Sequence, residues 1–145
     1  EAIKTLDTAI AQIKNFQQDD WKLFYQRGIA FERLKQWPKA EIDLRKSLEF
    51  FPNQPQVLNY LAYSLVERGE KLEESLRMLQ KASTLQAHNS HIHDSIGWAY
   101  YKLKEYNKAV QILENGVRLQ PEDPTQNDHL GDAYWKVGRK REAIF

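Results

Sequence analysis

Apolar residues fall at three- and four-residue spacing in blocks about one short helix long, broken by polar turns. Single-face spacing of this kind predicts amphipathic helices. The blocks place first helices at about 21–34, 55–68, 90–103 and 124–137, and second helices at about 38–50, 72–85 and 106–119. Asp20, Gln54, Asn89 and Asp123 precede the first helices at spacings of 34, 35 and 34. Three of these four are good N-caps, whose side chains can accept from free backbone N–H groups. Pro55 and Pro124 follow at the first helical position, where a missing N–H costs little.

The blocks are copies of one another. "SIGWAYYKLKEYNKAVQILENGVRLQP" (95–121) aligns with "QRGIAFERLKQWPKAEIDLRKSLEFFP" (26–52) at a constant offset of 69, which is 34 plus 35. Gly97 then matches Gly28, Tyr100 matches Phe31, Ala109 matches Ala40, Leu113 matches Leu44, Gly116 matches Ser47 and Pro121 matches Pro52. The middle copy, "YLAYSLVERGEKLEESLRMLQKASTLQA" (60–87), has one extra residue in the turn around Gly69. A fourth copy opens at "HLGDAYWKVGRKREAIF".

"IGWAYYKL…KAVQIL…P" and "LGDAYWKV…EAIF" resemble the tetratricopeptide repeat family, whose pattern has Leu-Gly, an aromatic three on, then Ala, a large apolar residue and Pro within 34 residues. His93 and Asn127 depart from it at the fourth place, and Ala87 replaces the closing Pro. The resemblance implies an all-α fold, an α-α superhelix in which antiparallel helix pairs stack as a right-handed solenoid. Full repeats are expected at 21–54, 55–89 and 90–123. Residues 1–14 read as the second helix of a preceding repeat and 124–145 as a truncated one, so the chain reads as a fragment of a longer protein. A form extended by one repeat at each end is expected to be more stable, because each end would otherwise expose apolar surface. Small residues recur at Gly28, Ala62, Gly97 and Gly131 on first helices and at Ala40, Ser75, Ala109 and Ala143 on second helices. In the family these face each other where paired helices touch.

In the family the first helices line a concave ligand groove, with side chains at places two, five, nine, twelve and thirteen. Carried over, these are Lys22, Tyr25, Ile29, Glu32 and Arg33, then Gln56, Asn59, Tyr63, Val66 and Glu67. The third repeat supplies His91, Asp94, Trp98, Tyr101 and Lys102, and the fourth Thr125, Asp128, Asp132, Trp135 and Lys136. The resemblance implies a peptide- or protein-binding groove with an aromatic centre of Tyr25, Tyr63, Trp98, Tyr101 and Trp135. Trp98 and Trp135 are expected to be exposed there as anchors. Chaperone-binding members grip a terminal carboxylate at places occupied here by Tyr25, Ile29, Tyr60 and Ser95, which cannot do so. Asp94, Asp128 and Asp132 instead favour a ligand carrying Lys or Arg, unless they form an ordinary solvated face with Lys102 and Lys136. The alternative is a structural module that associates through its repeat ends.

Composition narrows the functions further. Formal net charge is +1, from 21 Lys+Arg against 20 Asp+Glu, where a nucleic-acid platform would show a basic excess. No apolar run approaches bilayer-spanning length, so membrane association is expected only through parts outside the sequence. There is no cysteine, which excludes disulfides and thiolate metal sites. The six glycines are isolated rather than gathered in a phosphate loop, and no His-Glu-x-x-His pair or nucleophile turn occurs. The chain is expected to be non-enzymatic, with no cofactor and no small-molecule substrate.

"HNSHIHDSIGWAYYK" (88–102) packs His88, His91 and His93 beside Asp94, the ingredients of a zinc site. Asn89, however, caps a helix starting at Ser90. That puts His88 in the preceding turn and points His91 and His93 to different sides. His93 stands where the sister copies have Phe24 and Leu58, so packing is the expected role and no metal is expected.

"NYLAYSLVERG", "DSIGWAYYKL" and "NDHLGDAYWKVGRKREA" are similar, taken together, to a bacterial branch of the family. These are envelope-associated proteins, some of them outer-membrane lipoproteins that act as adaptors for periplasmic proteases. The resemblance implies a bacterial envelope or periplasmic parent protein and an adaptor role.

Overall fold

The structure is a computed structural model that describes residues 1–144. The described residues form helices α1 (Ala2–Ala11), α2 (Trp21–Arg33), α3 (Trp37–Phe50), α4 (Pro55–Glu67), α5 (Leu72–Leu85), α6 (Ser90–Lys102), α7 (Tyr106–Leu119), α8 (Pro124–Lys136) and α9 (Lys140–Ile144). A 3₁₀ turn at Gln18–Asp20 leads into α2, and no strand occurs among the described residues. The fold class is all-α, and the helix ends fall within a residue or so of those the apolar spacing predicts. None of these helices is long and apolar enough to cross a membrane.

Local chemistry explains the boundaries. Asn89 Oδ1 accepts from the backbone N–H groups of His91 (2.9 Å) and Ile92 (3.2 Å), and Asp123 Oδ1 accepts from that of Gln126 (3.0 Å). Asp20 departs from its expected role as a cap on α2. Its carboxylate is drawn back into the 3₁₀ turn, where Oδ2 accepts from the Gln17 N–H at 2.7 Å.

The C-termini of α2, α4, α6 and α8 end alike. In α8 the N–H of Arg139 donates to Tyr134 O and that of Gly138 to Trp135 O, and Gly138 itself is left-handed. Gly69 and Gly138 fill that position in two turns, with φ of +68° and +83°. Lys35 and Lys104 fill it in the others, at +59° and +65°, although a side chain disfavours this region. The extra residue of the middle turn is absorbed by a second left-handed residue, Lys71.

The chain divides into two compact units, 1–57 and from Leu58 onward. The core of the first unit is aromatic. Phe24 stacks on Phe50 at 5.5 Å, Phe16 touches both rings, and Trp21 meets the Phe51 ring edge-on. Across α2 and α3, the Arg27 guanidinium grips Asp43 with two hydrogen bonds of 2.7 and 2.8 Å and reaches Asp7 at 2.8 Å. Asp43 is buried.

The second unit holds two linked apolar clusters. Ala62, Val66, Leu76, Leu79, Trp98 and Ala99 form one; Ala109, Val110, Leu113, Leu130 and Ala133 form the other. Tyr100 and Tyr101 pack against both. The recurrent glycines permit the close approach of paired helices, but not by meeting small residues alone. A Cβ on Gly97 would lie 2.5 Å from Leu113 Cγ, and one on Gly28 2.9 Å from Leu44 Cγ. The helix approaches through a leucine one turn beyond Ala109 or Ala40, because that side chain fills the hollow the glycine leaves.

Candidate functional site

Of the residues expected to line the groove, Lys22, Tyr25, Ile29, Glu32, Arg33 and Gln56 lie in the first unit and the other fourteen in the second. Tyr25, in the first unit, is half-buried beside the Trp21 ring at 5.9 Å. Burial raises its phenol pKa, partly offset by a hydrogen bond with Gln56.

Helices α4, α6 and α8 of the second unit surround a cavity of about 390 Å³. Asn59 and Tyr63 from α4, His91 and Asp94 from α6, and Asp123 and Thr125 at the start of α8 line it. Behind it runs a stack of rings. His129 lies over Trp98 with centroids 4.0 Å apart, Trp98 over Tyr101 at 4.4 Å, and Tyr63 flanks His129 at 6.2 Å. His129 Nδ1 donates to both Asp94 oxygens, at 2.9 and 3.0 Å. Trp98 Nε1 donates to Glu67 Oε1 at 2.7 Å. Lys102 Nζ sits 5.6 Å from the Trp98 ring centroid and donates to the Glu67 carbonyl at 3.3 Å.

This geometry corrects three expectations. Trp98 is not an exposed anchor: His129, Tyr101 and Lys102 cover the indole, leaving 8% of the residue exposed. Asp94 is 5% exposed and faces His129, so it does not share an open acidic surface with Asp128 and Asp132. Val66, also expected in the groove, is wholly buried in the apolar cluster. Trp135 is 53% exposed, with Asp128 and Asp132 beside a separate pocket along α8. The Lys140 ammonium lies 5.0 Å over its ring.

Carboxylates set the electrostatics of the cavity. Burial raises the Tyr63 pKa first, and the negative charges of Glu67, Asp94 and Asp123 raise it further, so the hydroxyl stays protonated at neutral pH. Tyr101 shifts the same way through burial and Asp132. Among the described residues no three His, Asp or Glu side chains are placed to hold a metal ion. His91 is exposed at the cavity, while His93 is half-buried with Nδ1 2.9 Å from the Asn89 carbonyl oxygen.

His129 is the residue that sequence reasoning missed. It stands two places before Gly131, where the other copies have Gln26, Tyr60 and Ser95, so nothing in the pattern marks it as a ring that closes over Trp98.

Residues 90–123 match a family model described as the tetratricopeptide repeat. A TPR repeat-containing protein of Pseudomonas aeruginosa is 29% identical over 114 residues, which is 79% of this chain and 19% of that protein. Tetratricopeptide repeat protein 17 of Homo sapiens is 25% identical over 124 residues, 84% of this chain and 11% of that protein. The chain therefore spans a fifth or less of the length of these relatives. Among solved structures, MamA from Desulfovibrio magneticus RS-1 superposes with a TM-score of 0.83 at 20% identity, covering 98% of this chain and 77% of that one. That likeness is one of fold.

Proposed function

The chain is a tetratricopeptide-repeat protein, and we propose that it is a non-catalytic scaffold that holds an extended peptide segment of a partner protein along α4, α6 and α8. The observation that carries this reading is the open cavity bounded by Asn59, Tyr63 and His91 and backed by the His129–Trp98–Tyr101 stack. Rings locked by stacking and hydrogen bonds form a preorganised wall, so little ordering cost falls on binding. The exposed Trp135 extends the surface along α8 with an aromatic face suited to a partner's apolar side chain. Asn59 can address a peptide backbone, which both accepts and donates. An adaptor role in a bacterial envelope protein belongs to the same reading, as does the division into three full repeats and two partial ones.

Peptides selected from a random displayed library on the full chain provide the test. Their backbone-amide NMR shift changes should concentrate on α4, α6 and α8, and Asn59→Ala and Trp135→Ala should weaken binding while the helical circular dichroism persists. Shift changes confined to α5 and α7, or affinity unchanged in both variants, would overturn it.

A further inference from the structure

We infer that the cavity between α4, α6 and α8 seats one cationic side chain of the partner, gripped by Asn59, Tyr63, Asp94 and Asp123. The inference rests on the peptide-binding reading and specifies the partner's chemistry at one place.

Acceptors dominate the lining. Asp94 and Asp123 contribute carboxylates, and no Lys or Arg lines the cavity. Asn59 Oδ1 is buried and has no donor within hydrogen-bond reach. A buried acceptor without a donor is uncommon in folded proteins and calls for an explanation. Asp94 is also short of donors. Its carboxylate has about four lone-pair sites, is 5% exposed, and among the described residues receives the single Nδ1–H of His129. A carboxylate taken this far from water is normally matched by a cation. Lys102, on the same helix, is engaged with the Trp98 ring and the Glu67 carbonyl.

Tyr63 reports the sign of the field. Its hydroxyl is acted on by Glu67, Asp94 and Asp123, all negative, with no cation offsetting them. Its ring adds a face along which the aliphatic stem of a lysine or arginine can lie. At about 390 Å³ the cavity falls in the lower part of the range for ligand sites, roughly 300–1,000 Å³. The acidic place along α8 differs on one point. Among the described residues, the side chains lining that pocket leave no buried acceptor without a donor.

An ammonium or a guanidinium would complete the site, and three sources carry one: a lysine, an arginine or a peptide N-terminus. The probe is a positional-scanning library of acetylated and amidated decapeptides, read by fluorescence anisotropy with the full chain. A parallel arm leaves the N-terminus free. One position should select Arg or Lys, and replacing that residue by citrulline or norleucine should weaken binding about tenfold or more. A preference confined to the free-amine arm would assign the site to an N-terminus. Asp123→Asn retains an N-cap acceptor, and Asp94→Asn retains an acceptor for His129. Each should weaken the cationic peptide about tenfold while leaving the norleucine peptide unchanged, with melting curves to establish that both variants fold. Peptides that bind across α4, α6 and α8 with no required cation, or with the preference intact in both variants, overturn the inference and leave the groove standing. Binding that maps elsewhere, or no binding by any peptide, overturns both.

Discussion

The imidazole of His129 lies parallel to the indole of Trp98, with centroids 4.0 Å apart and planes 13° from coplanar. The same imidazole holds Asp94 through Nδ1. One residue of α8 thus covers the central tryptophan of α6 and donates to the buried carboxylate one turn before it. His129→Ala removes both roles. It should cost about 2–4 kcal/mol, combining a stranded buried acceptor with a lost aromatic pair. Denaturant unfolding measures the loss, and a red shift in native tryptophan emission would report the uncovered Trp98. Unchanged emission would mean that the stack does not shield it.

Gly97 leaves no room for a methyl group. The added carbon would lie 2.5 Å and 2.6 Å from side-chain atoms of Leu113 and 3.3 Å from its backbone N. Gly97→Ala should therefore destabilise by about 1–3 kcal/mol despite the better helix propensity of alanine. A thermal melt showing no loss would contradict the close approach.

Arg27 and Asp43 stand where the middle copy has Leu61 and Met78. Arg27→Ala strands a buried carboxylate and should cost about 3–5 kcal/mol. The double change Arg27→Leu with Asp43→Met restores an apolar pair, and its stability should match or exceed that of the parent. Calorimetric melting of the single and double variants decides this. A double variant no more stable than Arg27→Ala would show that the site requires the ion pair.

Lys104 ends α6 in the left-handed region at φ +65°, where Gly138 ends α8. Lys104→Gly relieves the side-chain penalty and should raise stability by about 1 kcal/mol. A lower melting temperature would show that the lysine side chain compensates for its backbone.

The Tyr134 hydroxyl donates to Glu114 Oε2 at 2.6 Å. Burial, and then this carboxylate, push its pKa up to about 12. An unfolded tyrosine ionises near 10. The folded state therefore favours the neutral phenol, and the stabilisation is fully present below about pH 10 and disappears as pH rises through about 12. Tyrosinate absorbance should show late components, and Tyr134→Phe should remove one of them and lessen the loss of stability over that window. A Phe variant with the parent's alkaline profile would refute the assignment.

The helices, their ends and the repeat spacing were legible in the sequence because each rests on residues within a turn or two of one another. Asn89 and Asp123 cap the helices they precede, and the in-phase glycines mark the close approaches. Fourteen of the twenty candidate groove residues fall in the second unit, but side-chain direction along one helix does not tell an open face from a covered one. The resemblance puts Trp98 at a groove-lining place of its helix and so implies an exposed ring. It is covered by His129, 31 residues further along, in a register no local pattern encodes. Arg27 with Asp43, and Asn59 with Asp94 and Asp123, come together in the same way. By itself the sequence determined an all-helical repeat, because helix period and capping are local. Only the tertiary structure decided which polar side chains are buried, which are matched and where an unmatched acceptor remains, because burial depends on what a different helix brings.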